Sequence, residues 1–329
     1  MIMKKLNRIL VPTDFSEGSR KAYGYALSLL RVFGGKVDMI NTVPTVKYLQ
    51  ESMKNVGYPF SLDHDVYPHI IEQTQERVTK ELEGFIPEEH RGEAVVRIGR
   101  KSYELILEHA HKQKYDLIVM GAQGYHAGEI IRGHVTEKVI RYSKIPVLSV
   151  SGNVMPENTE NILVPTDLSD FSFKAVLPAA IFAGRLKSKV TLFNVKELHG
   201  SEPDDQDHDD HRHKKFHRKV AAKLHDFFVA RPKAKLQLDT DESGNMWLML
   251  ERDDEKYRIP LHVEQVRGIS AHYEIVDYAE ENANMIVIAT HGRSGLSHIF
   301  LGSTSEKVVQ WAKLPVLTTR PAQMFRKKG

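Results

Sequence analysis

The chain has 329 residues, of which 41% are hydrophobic and 27% charged, with a formal net charge of +3 and no cysteine. That length suits two domains of ordinary size, each able to bury a core, and the composition is that of a globular protein in water. Disulfides, thiol catalysis and cysteine-ligated zinc are excluded, no apolar run is long enough to span a bilayer, and the small net charge argues against a nucleic-acid partner.

The opening stretch MIMKKLNRILVP is basic and then briefly apolar, without a signal-peptide core or a small-residue cleavage site, so a mature cytoplasmic protein is expected. Residues 9–14 read ILVPTD, and residues 162–167 read ILVPTD again, 153 positions later. The copies stay parallel. Ser16 and Ser169 each stand where a helix N-cap would, and apolar helical stretches follow to Phe33 and Leu186. Pro178 should kink the second of these helices or shift its start. Segments 37–42 and 190–195 then read as strands, with Asn41 and Asn194 at matching places.

Each half continues through a long variable stretch, a helix (69–85 or 216–228), a strand (94–98 or 261–266) and a second helix (103–111 or 272–283). A strand follows (117–120 or 286–289), then a loop, a helix and a strand opened by proline (145–150 or 314–319). Strands alternating with helices predict an α/β fold, with a doubly wound parallel sheet in each half and ligands at the carboxyl ends of the strands. The turn-rich stretch around 153–160 is the expected linker between domains at 1–152 and 161–321, and residues 322–329 form a basic tail. Asp14 to Gly124 is 110 positions and Asp167 to Gly292 is 125, so the second copy carries a net 15 extra residues, placed near 231–260. There 236–238 and 246–250 flank a turn-like 241–245, which suggests a small hairpin.

The chemistry concentrates at 289–317. An apolar strand is followed at once by Gly292, and after nine further residues by Gly302. Ser303, Thr304, Ser305 and Glu306 spell a capping box, with Ser303 as the cap of a new helix. Glycine in front of a helix start lets an anion approach backbone N–H groups, and the helix dipole favours negative charge there. The GSTSEK string is not a Walker A motif, and no lysine is aimed at a γ-phosphate.

Duplicated ILVPTD strand ends, each with a late glycine loop before a final strand, resemble a tandem universal stress protein. The family's nucleotide motif Gly-x2-Gly-x9-Gly-Ser/Thr is matched at 289–303, with Ala289 in place of the first glycine. The resemblance covers nearly the whole chain. It implies Rossmann-like, flavodoxin-like domains of the adenine nucleotide alpha hydrolase-like kind, and ATP or another adenine nucleotide, with or without Mg2+, lying over the sheet. Carried over position by position, Asp167 would face the adenosine, with Pro165 and Thr166 shaping its turn. Val195, ending the second strand, would offer backbone groups to the adenine edge. Ala289 would open the loop, and His291, Gly292 and Arg293 would border the ribose and phosphates. Gly302, Ser303 and Thr304 would hold the phosphates.

The first copy departs from this pattern. From Gly124 to Gly133 there are eight intervening residues, and His134 stands where the cap hydroxyl should be, so its site is expected to be lost or weakened. Asp14 is then read as a turn or helix-capping residue. Histidines 208, 211, 213, 217 and 225 lie among aspartates, and His213 and His217 would share a helix face able to bind zinc. A solvated charged segment entering a helix is the preferred reading, with no metal site. In the family the final strand edge mediates pairing, which implies that 147–150 and 316–319 join the halves in an intrachain pseudo-dimer, with homodimerisation of the chain as a further option. The functional expectation is a cytoplasmic stress-response module that binds an adenine nucleotide in its second domain, has a protein partner the sequence does not name, and is not an obvious enzyme. The alternatives are a slow ATP hydrolase or phosphotransferase using the same site, and a ligand-free scaffold.

Overall fold

The computed structural model describes residues 6–45, 67–122, 133–153, 155–198, 209–252, 254–290 and 302–320. It divides into two compact units, one spanning 5–150 and the other holding 151–329 together with the first four residues. Each unit is a sheet with helices packed on it.

In the first unit β1 (Arg8–Pro12) leads into α1 (Glu17–Phe33), then β2 (Lys36–Pro44), α2 (Tyr67–Phe85), β3 (Arg91–Gly99), α3 (Ser102–Lys112), β4 (Leu117–Gly121), α4 (His134–Tyr142) and β5 (Val147–Val150). The strands lie in the order β3-β2-β1-β4-β5 and all pairings are parallel. The reversal of direction beside β1 puts the switch point, and any ligand crevice, at the carboxyl ends of β1 and β4. Ile9, Leu10, Val11, Leu117, Ile118 and Val119 are fully buried, as strands covered on both faces must be. Tyr23 of α1 meets Phe85 of α2 edge to face at 5.2 Å, which ties those two helices together.

The second unit repeats this order with β6 (Asn161–Pro165), α5 (Asp170–Phe173), α6 (Val176–Leu186), β7 (Lys189–Glu197) and α7 (Asp209–Val229). Next come β8 (Leu236–Thr240), β9 (Met246–Arg252), β10 (Glu255–Gly268), α8 (Ala271–Asn282), β11 (Met285–Ala289), α9 (Ser303–Trp311) and β12 (Val316–Thr319). Where the first unit has one helix, this one has two. Pro178 is the third residue of α6, where its missing N–H costs nothing, and the chain turns between Phe173 and Val176. The proline therefore shifts the helix start rather than kinking it.

The extra residues of the second copy form the expected hairpin and more. β8 pairs antiparallel with β9 around the turn at 241–245, and β9 pairs antiparallel with the first half of β10. β10 is long: Glu255–Leu261 pair with β9, while Leu261–Gly268 run parallel to β7. The strand expected at 261–266 is thus the second half of a 14-residue strand. A parallel core carries an antiparallel edge. Leu236, Met246, Leu248, Leu250 and Ile259 are buried in this addition, so it enlarges the core.

Candidate functional site

The turn after the first strand is built identically in both units. Thr166 N–H donates to the Phe193 carbonyl at 2.8 Å, and Thr13 N–H to Ile40 at 2.8 Å. The threonine hydroxyl then accepts from the backbone two residues on, Leu168 N at 3.0 Å or Phe15 N at 2.9 Å. Those residues take left-handed φ values of 60° and 64°. Asp167 Oδ1 accepts from Ser169 N, and Asp14 Oδ1 from Ser16 N, both at 3.0 Å, and the serines cap their helices through Ser172 N and Ser19 N. One carboxylate oxygen of each aspartate therefore holds the turn, the role expected of Asp14. Asp167 is half-buried whereas Asp14 is exposed.

Asn194 and Asn41 complete the turn. Each side-chain amide donates to the threonine carbonyl just ahead of the aspartate, Asn194 to Thr166 and Asn41 to Thr13, both at 2.8 Å. Sequence reasoning noted these asparagines as a shared feature of the strand ends but gave them no role. Val195 does not end its strand, as β7 runs two residues further and Val195 pairs with Val266. On the other side β6 stops at Pro165, opposite Phe193, so Val195 lies beyond that neighbour.

β11 lies beside β6, with Leu163 opposite Ile286, so the Asp167 turn and the carboxyl end of β11 share one end of the sheet. Here the chain leaves at Thr290 and re-enters at Gly302, whose N–H donates to the Thr290 carbonyl at 2.9 Å. His291, Gly292 and Arg293 lie outside the described residues. Ala289 sits in a regular strand opposite Thr319, and its backbone is not left-handed, so the missing glycine needs no special conformation.

The start of α9 differs from the capping box expected. Gly302 is the N-cap and makes no side-chain cap bond, Ser303 is the exposed first helical residue, and the first helical bond is Glu306 N to the Gly302 carbonyl at 2.8 Å. The hydroxyl with a structural task is Ser305, which donates to the Ala289 carbonyl at 2.9 Å and ties helix to strand end. The first unit does the same with Gly133 as N-cap and Thr136 donating to Gly121 at 3.0 Å. His134 therefore replaces no cap, and Glu137 pairs with Arg141 at 2.9 Å. What distinguishes the units is loop length, 12 positions from Thr290 to Gly302 against 11 from Ala122 to Gly133, and a hydroxyl against an imidazole at the first helical residue.

Uncapped N–H groups at a glycine-led helix start favour an anion. Lys223 adds positive charge at the aspartate turn by donating to the Leu168 carbonyl at 3.2 Å. Tyr278 stacks on Phe193 with ring centroids 4.4 Å apart, and burial raises its phenol pKa. The histidine segment supplies no comparable cluster. His213 and His217 share a face of α7 with rings 6.4 Å apart, His208 and the His211 side chain lie outside the described residues, and no group of three metal-binding side chains occurs among those described.

A duplicated doubly wound α/β unit, with a fixed aspartate turn facing a glycine-led helix start, defines the class. The universal stress protein family matches at residues 5–151 and again at 158–320, so the chain belongs to that stress-response family and carries two of its domains. A universal stress protein of Mycolicibacterium smegmatis is 23% identical over 320 residues, covering 95% of this chain and 97% of that one. One from Methanocaldococcus jannaschii is 40% identical over 67 residues, a stretch that spans 20% of this chain and only 39% of the relative. The crystal structure of a universal stress protein from Archaeoglobus fulgidus shares the fold, with a TM-score of 0.59 at 20% identity over 96% of this chain and 99% of that one. No helix among the described residues is long and apolar enough to cross a membrane.

Proposed function

We propose that the second domain binds ATP or a related adenine nucleotide and that the protein acts as a cytoplasmic nucleotide-responsive signalling module. The phosphates lie at the start of α9 against Gly302, Ser303 and Thr304, and His291, Gly292 and Arg293 are the motif residues assigned to the ribose and phosphates. The adenosine lies toward Pro165, Thr166 and Asp167 and the backbone of Val195. The observation that carries this reading is the glycine N-cap of α9, which has no side-chain cap bond and shares one end of the sheet with the half-buried Asp167. A helix start without its own acceptor leaves its N–H groups to an outside anion. In the first domain the loop is one residue shorter and His134 stands in place of Ser303, and binding there is weak or lost.

Equilibrium titration of the full chain with a fluorescent ATP analogue tests this. One site is expected, abolished by Gly302→Val and unchanged by Gly133→Val. Binding that survives Gly302→Val, or that disappears with Gly133→Val alone, overturns the assignment.

A further inference from the structure

The two domains differ at one place beside the turn that the aspartate occupies. In β10, Gln265 stands opposite Asn194 of β7, while at the same register of the first domain Val96 stands opposite Asn41. Gln265 Nε2 donates to Asn194 Oδ1 at 2.7 Å, and Asn194 Nδ2 donates to the Thr166 carbonyl at 2.8 Å. This two-bond relay fixes both amides. Asn194 must turn its NH2 toward Thr166, so only its oxygen is left for Gln265, and Gln265 must present its own NH2 to that oxygen. The Gln265 Oε1 is thereby directed away from Asn194, and no described residue donates to it. It belongs to a half-buried side chain near the carboxyl end of β10.

The relay is not needed to build the turn. Asn41 makes the same bond to Thr13, at 2.8 Å, with only Val96 beside it. A glutamine added where the turn already stands without it points to a task toward a ligand.

We propose that Gln265 reads the base edge of the nucleotide, with Oε1 as an acceptor for an exocyclic amine and the second N–H of its amide as a donor to the neighbouring ring nitrogen. This inference rests on the second-domain site described above. A side-chain amide matches adenine in this donor and acceptor pattern. Free to flip, glutamine would accept hypoxanthine equally well, since that base reverses the pattern with a carbonyl oxygen and a ring N–H. Held by Asn194 it cannot flip, and the hypoxanthine carbonyl would meet Oε1, acceptor against acceptor. Sites built to hydrogen-bond one pattern reject the reversed one because polar groups are left unpaired.

The test is a titration of the full chain with ATP and with inosine triphosphate, for wild type, Gln265→Met and Gln265→Val. Methionine keeps the volume, and valine copies the first domain, so at least one variant keeps the wild-type melting temperature. Wild type is expected to prefer ATP by roughly tenfold or more, on the scale of one good bidentate contact. Both variants are expected to bring the ratio close to one, mainly by weakening ATP. A variant that keeps the wild-type ratio overturns the role of Gln265, as does a wild type that binds the two nucleotides equally well while still losing both with Gly302→Val. A wild type that binds neither overturns the nucleotide site itself.

Discussion

Tyr115 donates its phenol hydrogen to Asp38 Oδ2 at 2.7 Å, with both residues almost wholly buried, Asp38 near the amino end of β2 and Tyr115 just ahead of β4 in the first domain. The same carboxylate pairs with the Arg8 guanidinium and accepts Glu93 N–H on Oδ1 at 2.6 Å. His109 extends the chain, its Nε2 lying 3.2 Å from the Tyr115 hydroxyl and its Nδ1 3.4 Å from an Arg97 nitrogen. In the second domain the matching places hold neutral groups. Thr191 donates to Asn161 Oδ1 at 2.8 Å, and the Asn284 side-chain oxygen accepts from Asn161 N at 3.0 Å. The contacts of Asp38 are ionic, whereas those of Thr191 and Asn161 are neutral.

That contrast predicts a larger acid sensitivity in the first domain, because His109 is buried whereas the depressed histidines of the second domain, His262 and His272, lie nearer solvent. Because the Tyr115 proton goes to Asp38, its oxygen accepts from His109 Nε2–H, which leaves Nδ1 as an acceptor facing Arg97. Protonating His109 would set a cation against Arg97, with Arg8 also near and only Asp38 and Glu93 to offset it. Burial, then Arg97, lowers its pKa below the ordinary 6.5. A depressed histidine contributes stability that is complete above about pH 6.5 and is lost as the pH falls through its folded value. Trp247 and Trp311 are the two tryptophans, and both lie in the second domain, so circular dichroism should show a melting temperature falling between pH 7 and pH 5 while fluorescence shows a smaller change. His109→Gln is expected to flatten the circular dichroism profile.

Asp38→Ala should cost about 2 kcal/mol in the first domain, because it leaves the buried Tyr115 phenol without its acceptor, whereas the Arg8 guanidinium, 35% exposed, and the Glu93 N–H can turn to water. The pair Arg8→Asn with Asp38→Thr transplants the neutral pattern of the second domain and should cost less than Asp38→Ala alone. Denaturant unfolding followed by circular dichroism compares them, and a larger loss in the double variant would refute the argument.

Much of this fold was legible because repetition amplified it. ILVPTD twice, Ser16 with Ser169, and Asn41 with Asn194 fixed the strand ends and helix starts by local chemistry, and the structure places the serine caps where they were read. The cap of α9 was misread because Ser303 and Glu306 fit a spacing rule, while the competing candidate, Gly302, has no side chain to signal that the backbone alone ends the loop. The long β10 was half seen. Residues 255–260 alternate Tyr257 and Ile259 with charged or proline neighbours, a pattern that gains meaning only once β9 is known to lie beside it. Gln265 carried no sequence signal, since a single polar residue in a strand takes its sense from the partner opposite. Of the candidate site, the second-domain aspartate turn was readable and the helix start was read one residue late, but the amide relay joining the turn to β10 was not readable.

Ser303→Ala and Ser305→Ala separate the two hydroxyls at the start of α9. Ser303 is exposed and caps nothing, so its loss should change stability by under about 0.5 kcal/mol while weakening nucleotide binding. Ser305 is buried and bonds the Ala289 carbonyl, so its loss should cost about 1 kcal/mol. Tryptophan-monitored unfolding reads both, because Trp311 ends the same helix.

Gly121 and Ala289 occupy equivalent strand ends, and the reason only one is glycine lies in the helix opposite. A Cβ on Gly121 would sit 2.4 Å from the Gly18 carbonyl oxygen and 3.0 Å from Ser19 N, and both atoms are backbone in the first turn of α1. Neither can swing aside as a side-chain tip would, so α1 must move away from β4. Gly121→Ala should therefore destabilise the first domain by about 2 kcal/mol, within the range of overpacked cores. In the second domain Phe171 stands at the place of Gly18, in the short α5, and Ala289 is buried without displacing the pairing of β11 with β12. Ala289→Gly removes one buried methyl and loosens the strand, a loss of about 1 kcal/mol. The two substitutions are thus opposite in chemistry yet both destabilising. Circular dichroism unfolding should register the first and tryptophan fluorescence the second. A Gly121→Ala variant as stable as wild type would show that α1 is free to withdraw, and the close approach of Gly18 to β4 would then have no energetic consequence.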